Sequence, residues 1–282
     1  MKEYSSKQDT ETNKQTIKQE AMNTLRRTAI LIVMVLISSA ILSQNKASEK
    51  LIVGIQNGTD VASRFELPKG YHRMETEEGT FEHFLQHFEL YRWDYCATDC
   101  YGNDIKATCG VLKLDLIGEN LQQCADACIR LRAEWLRSKG QPMVFHTVQN
   151  KERRFVSGSE KEFRNYLKDV FSYCNTASLE KYDTHPVTFE EARIGDIVIE
   201  GGYPGHCVII MDIAVCDTDP TKKAFIFAES YMPAREMTIL PSWQEIGKFI
   251  SYKNNPWFKL EKGESFNADW LFDTSMIRRF ND

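Results

Sequence analysis

Between Asp196 and Leu240 the chain carries four short apolar runs, Asp196–Glu200, His206–Val215, Ala224–Tyr231 and Glu236–Leu240, each followed within a few residues by the next. Runs of this length and spacing read as consecutive strands joined by short connections, the arrangement that builds an antiparallel sheet. The segments ahead of them carry a helical period instead. Thr80–Leu90 sets Phe81, Phe84, Leu85 and Phe88 at helical spacing behind Thr80, a capping residue. Leu121–Lys139 puts Leu121, Cys124, Ala125, Cys128, Leu131 and Trp135 on one face, with Asn120 as the expected cap and Gly140 and Pro142 as the stop. Ser159–Cys174 predicts a second long helix with Phe163, Tyr166, Leu167, Val170 and Phe171 inward. Val111–Ile117 alternates Leu112, Leu114 and Leu116 with Lys113 and Asp115 and predicts a half-buried strand. Helices first and an antiparallel sheet after is the pattern of an α+β domain. With no internal repeat or low-complexity break, residues 51–282 are expected to form one such domain.

The amino end has another character. Residues 1–28 are polar and without apolar periodicity, so they are expected to be a disordered leader. Ala29–Leu42 is a run of 14 residues without a charge, directly behind Arg26 and Arg27. It is shorter than the roughly 20 residues a spanning helix needs and suits a signal peptide, with Ser38-Ser39-Ala40 as the cleavage site. A start at Met22 would give that signal peptide an ordinary short n-region. Left uncleaved, residues 29–42 would anchor the protein to the inner membrane, and residues 43–50 read as a polar linker. The expected location is extracytoplasmic, in the periplasm or cell envelope.

Charge narrows the function classes. From Ile41 onward there are 29 Lys and Arg against 36 Asp and Glu, with no basic block to neutralise a run of phosphates, so nucleic acid is not an expected partner. Export would place the eight cysteines where disulfides are permitted, and Cys96, Cys100 and Cys109 lie close enough in sequence for one bridge. These three include no CxxC pair, and His83 and His87, four apart on the first helix, have no carboxylate partner, so no metal site is expected.

Thiol chemistry needs a Cys whose thiolate is stabilised, a His to exchange protons and a group that orients the His. Cys124 falls near the start of the Leu121 helix, where unpaired backbone N–H groups favour an anion, and Cys128 lies a turn deeper. His206 is a polar residue opening an otherwise apolar strand just past the glycine-rich loop Gly201–Gly205, a loop open to a substrate backbone. By strict alternation His206, Val208, Ile210 and Asp212 share one strand face, but Asp212 is too far along to orient the ring. The orienting group must come from the next strand, which offers Glu229 and Ser230. Glu229 is the better choice because a carboxylate both fixes the tautomer and stabilises the imidazolium.

From about Arg64 onward the chain resembles the exported bacterial family known as domain of unknown function 4846. The carrying segments are Arg64–Arg73, LQQCADACIRLRAEWL (Leu121–Leu136), GGYPGHCVIIMD (Gly201–Asp212) and AESYMPAREMTIL (Ala228–Leu240), with Trp257-Phe258 and Trp270. That family implies export and a fold, but no activity. A more remote resemblance is to papain-like cysteine hydrolases of the NlpC/P60 and CHAP kind, in the order Cys124, Gly195-Asp196, His206, Glu229. It implies a papain-like α+β fold and cleavage of amide or peptide bonds in a peptidoglycan-like envelope substrate, with no metal or organic cofactor. On that reading Cys124 attacks, His206 moves the proton, Glu229 holds His206, Gln122 or Gln123 helps bind the oxyanion and Tyr203 contacts substrate. Transglutaminase-like acyl transfer would use the same three residues. The competing expectation is a noncatalytic envelope binding or scaffold protein using the Gly201–Gly205 loop and Tyr203 for recognition.

Overall fold

The strand runs after Asp196 form the middle of a nine-stranded sheet in the computed structural model, which describes residues 57–118, 120–242 and 255–282. The expected leader, apolar segment and linker (1–50) lie outside the described residues. In chain order come α1 (Val61–Arg64), β1 (Tyr71–Arg73), α2 (Phe81–Gln86), β2 (Ala97–Thr98), β3 (Asp104–Ile105), β4 (Gly110–Val111) and α3 (Cys124–Ser138). Then follow β5 (Met143–His146), β6 (Glu152–Phe155), α4 (Glu160–Tyr173), α5 (Thr176–Ser178), a π turn (Leu179–Asp183) and β7 (Thr184–Pro186). The last group is β8 (Ile197–Glu200), β9 (His206–Cys216), β10 (Lys223–Glu229), β11 (Thr238–Ile239), β12 (Trp257–Leu260), β13 (Ser265–Asn267), β14 (Leu271–Asp273) and β15 (Ile277–Phe280). The main sheet runs β4-β11-β10-β9-β8-β15-β7, with β1 also on β9 and β12 also on β10, and its pairings are antiparallel. The fold is therefore α+β, with the two long helices ahead of the central strands, although β1 and β4 reach into the sheet from the amino-terminal half.

β9 and β10 are buried along almost their whole length, which is why both read as continuous apolar runs instead of alternating ones. One side of β9 is covered by α3, whose small residues Ala125, Ala127 and Cys128 let it lie close. On the other side an aromatic cluster fills the core. Phe227 has Phe225, Phe258 and Phe266 around it at ring separations of 5.8, 5.2 and 5.3 Å, so its truncation to Ala would cost about 3–5 kcal/mol.

Three sequence expectations are corrected. The Leu121 helix begins at Cys124, with Gln123 as its cap, because Asn120 spends its side-chain oxygen on the Ala234 N–H at 2.7 Å. The strand expected over Val111–Ile117 stops at Val111 with a bridge at Leu112. The Leu114 N–H folds back on the Leu112 carbonyl at 2.8 Å, a tight turn that leads the chain out of the sheet. The Thr80 helix has its expected cap but ends at Gln86, since Glu89 and Leu90 turn extended to bridge Asp60 and Leu112.

The pairing of β9 with β10 also departs from strict alternation. Ile226 pairs with Asp212, but Phe227 pairs with Ile210, so Met211 is an extra residue in β9. Beyond this bulge the two faces exchange. Asp212 stands on the face opposite His206, where it accepts from Gln86 Nε2 at 2.8 Å and from Arg73 Nε at 2.7 Å.

Candidate functional site

Gln123 is extended and Cys124 is the first residue of α3, so the thiol sits at the helix end where backbone N–H groups lack intrahelical partners. Asp126 closes the cap by accepting the Gln123 N–H at 3.0 Å. Cys124 is 9% exposed, and the Cys207 thiol and the His206 imidazole are the electrostatic partners of its sulfur. Those two partners, with the Ala125 N–H, outweigh burial and draw the thiol down to about 4.

His206 is the first residue of β9, 2% exposed. Its Nε2 lies 2.7 Å from Glu229 Oε2, which leaves Nδ1 for the thiol. Burial would lower this imidazole, but the hydrogen bonds to Cys124 and Glu229 and the negative charges behind them raise it to about 9. Both shifts favour the thiolate–imidazolium form of the pair. Burial pushes the Glu229 carboxyl upward, while His206 and the Arg235 guanidinium on its other oxygen pull it down. Arg235 also reaches Asp269 at 3.3 Å. Three rings wall in the imidazole, Tyr231 at 5.0 Å and Trp270 and Phe272 at 5.9 Å, Phe272 nearly parallel to it. Trp270 is held in turn by its Nε1 donating to Glu200 at 2.7 Å.

A cleft of about 290 Å³ opens in front of Cys124, between the start of α3, the end of α4, α5 and the Gly201–Gly205 loop. Its walls include Gln123, Asp126, Cys174, Thr176, Tyr203 and Met232, and none of its lining residues is Lys or Arg. A larger hollow of about 550 Å³ lies elsewhere, beside Glu75, Glu77, Glu190 and Arg279, and holds no thiol.

The sequence-derived candidates fall as follows. Cys124, His206 and Glu229 come together, with Glu229 hydrogen-bonded to His206 and the imidazole acting electrostatically on the thiol. Gln123 and Tyr203 line the cleft, Tyr203 being 77% exposed with its hydroxyl bonded to Asn175. Gln122 does not line it. It is wholly buried, its Oε1 accepting from Arg130 and Ile117 and its Nε2 making no hydrogen bond within the described structure. Ser230 turns away from His206, its single hydroxyl proton shared between the carbonyls of Gln122 and Arg235 at 2.7 and 2.8 Å. Asp196, of the Gly-Asp pair, is remote from the thiol's partners and chelated by Arg279 at 2.7 and 2.9 Å. Gly195 is needed there because it adopts φ +90° and a Cβ would lie 2.7 Å from the Phe81 ring. Gly205 lines the cleft and also has a packing reason, since a Cβ would meet Thr176 Oγ1 at 2.5 Å and the Glu200 carbonyl at 2.7 Å.

The bridge expected among Cys96, Cys100 and Cys109 does not form; Cys96 and Cys100 stand as thiols. His83 and His87 lie 4.4 Å apart with their rings tilted by 43°, His83 Nδ1 bonded to Thr76 and His87 Nδ1 to the Asp60 carboxylate at 3.1 Å, a partner the sequence expectation had denied. Among the described residues no group of three or more His, Cys, Asp or Glu is arranged to hold a metal ion, and no helix is long and apolar enough to cross a membrane.

Sequence reasoning missed Arg235 and Asp126. Arg235 had a signal, a lone cation six residues past Glu229. Asp126 is buried in the cleft wall with Oδ1 making no hydrogen bond, and burial pushes its carboxyl well above the usual range. Only the cap geometry reveals it.

This chain belongs to the family described as domain of unknown function (4846), which matches residues 61–157 and 143–279. No curated protein and no solved structure matches it.

Proposed function

We propose that the protein is a papain-like cysteine hydrolase that cleaves amide or peptide bonds, acting in the cell envelope to which the apolar segment 29–42 would deliver it. The observation that carries this reading is the chain Cys124, His206, Glu229, with the sulfur at a helix N-terminus and at the edge of a cleft. The order of these residues along helix and strands supports the papain-like comparison. So does the preformed charge pair, because the nucleophile needs no further base.

In this mechanism the Cys124 thiolate attacks the carbonyl carbon and the oxygen becomes an anion. The Cys124 N–H and the amide group of Gln123, which line the cleft, would serve as donors for that anion, whereas Gln122 is buried outside it. The His206 imidazolium then protonates the leaving amine, and the neutral ring activates the water that releases the acid. Glu229 keeps the ring aimed and favours its charged form, and Arg235 keeps that carboxylate ionised. A cleft wall without Lys or Arg suits a neutral or amine-bearing substrate better than an anionic one.

The test is hydrolysis of a panel of amide and peptidoglycan-derived peptide substrates by the wild type, Cys124→Ala and His206→Ala. Turnover lost in both variants supports the reading. No turnover together with a Cys124 that is inert to alkylation across the pH range overturns it and leaves a binding role for the cleft.

A further inference from the structure

Hydrolysis would use one sulfur, yet three are gathered at this point. Cys124 and Cys128 are four residues apart on α3, so their side chains project toward the same neighbour. Cys207 follows His206 on β9 and therefore points to the opposite side of the strand, toward the helix. Its sulfur lies 3.6 Å from Cys128 Sγ, and Cys124, one helical turn before Cys128 on the same face, is its other electrostatic partner. Cys128 and Cys207 are wholly enclosed, and only Cys124 meets the cleft. The helix period and the strand period thus put a solvent-reachable thiol one helical turn from a pair of buried ones.

We propose that Cys207 is the resolving thiol of Cys124: when a hydroperoxide enters the cleft and oxidises Cys124, Cys207 captures the product as a Cys124–Cys207 disulfide. In the first step the Cys124 thiolate attacks the outer peroxide oxygen. The O–O bond breaks, the alkoxide leaves as an alcohol with a proton from His206, and Cys124 becomes a sulfenic acid. In the second step the Cys207 sulfur attacks the Cys124 sulfur, the S–O bond breaks, and hydroxide leaves as water with the Cys207 proton. One hydroperoxide is reduced and two thiols are oxidised. The disulfide blocks the nucleophile reversibly and shields it from the irreversible sulfinic and sulfonic states. A reducing thiol that attacks the cleft-side sulfur restores it. The proposal needs a reactive Cys124 but not amide hydrolysis, so its readout is mass and not turnover.

The experiment takes the reduced full-length chain, freed of reductant, and treats it with hydrogen peroxide with and without dimedone, a sulfenic acid trap. Proteolysis before Asp126 and Asp212 separates Cys124 from Cys128 and Cys207 from Cys216, and the peptides are read by mass spectrometry without reduction. The expected product in the wild type is the Cys124–Cys207 cross-link, with little dimedone on Cys124. In Cys207→Ser, dimedone labelling of Cys124 should rise at least about tenfold, followed by sulfinic acid without the trap. Wild-type Cys124 that goes directly to dimedone adduct or sulfinic acid overturns the proposal, and this arm requires no variant to fold. So does a bridge from Cys124 to Cys174, the other cysteine of the cleft wall, or a Cys128–Cys207 bridge formed equally fast in Cys124→Ser.

Discussion

Glu229 reaches His206 Nε2 at 2.7 Å because Met211 is an extra residue in the neighbouring strand. Ala228 pairs with Ile209, so the next residue, Glu229, falls beside Val208 and on the face that His206 shares. Without the slip at Met211 the register of Ile226 with Asp212 would continue, and Ser230 would occupy that place. The bulge selects a carboxylate over a hydroxyl as the partner of the imidazole.

The two residues therefore separate in their effects. Glu229→Gln should lower the His206 pKa from about 9 and reduce amide hydrolysis by about 10²-fold or more, read from the basic limb of the pH–rate profile. Ser230→Ala should leave that limb in place while destabilising the fold by about 1–3 kcal/mol, because the Gln122 and Arg235 carbonyls lose a buried donor, as denaturant unfolding would measure.

Alkylation of Cys124 by iodoacetamide should follow two ionisations. Cys124 is depressed to about 4, so the thiolate appears as pH rises through that value and the rate reaches a plateau. His206 is raised to about 9, so above it the imidazolium is lost and the unpaired thiolate reacts faster again. In His206→Ala the acid limb should shift upward toward the ordinary thiol value of about 8.5. A single limb near that ordinary value in the wild type would refute the charge pair.

Cys207→Ala removes the largest single contribution to lowering Cys124, whereas His206 acts through both its proximity to the thiol and its charge. Its acid limb should move up from about 4 but stay below that of His206→Ala, because the imidazolium remains. Mass spectrometry of the alkylated peptide across pH compares the two directly.

Gly205→Ala forces a methyl group against Thr176 Oγ1 and two backbone atoms, Glu200 O at the end of β8 and Gly202 N in the loop. The expected cost is about 1–3 kcal/mol, seen as a lower Tm. Adding Thr176→Ala should recover only part of it, since the backbone contacts cannot move away with a side chain.

The fold class was legible because burial writes itself into periodicity. β9 and β10 are apolar on both faces, and α4 shows an apolar stripe behind its Ser159 cap. Boundaries were less legible where polar side chains had two uses. Asn120 could have capped α3, but it holds the Ala234 loop, and a sequence cannot rank a local bond against one to a residue more than a hundred positions away. The same limit hid the hairpin register, since Met211 looks like any other member of an apolar run and only its pairing marks it as extra. Cys124 and His206 could be singled out because each breaks a local rule, a thiol at a helix start and a polar residue in a buried strand. Asp126 breaks none, as acids are common in the first turn of a helix.

The last strand of the chain, β15, lies between β7 and β8 and pairs with both. Its two neighbours are made earlier and have no pairing with each other in that sheet path. On a ribosome, β7 and β8 therefore wait with a gap between them until residues 277–280 have left the exit tunnel. Phe272, which stacks on His206, emerges only just before. The nucleophile helix is synthesised well over a hundred residues before Trp270 and Phe272, which wall in its histidine, so a nascent chain carries the thiol long before it carries the site.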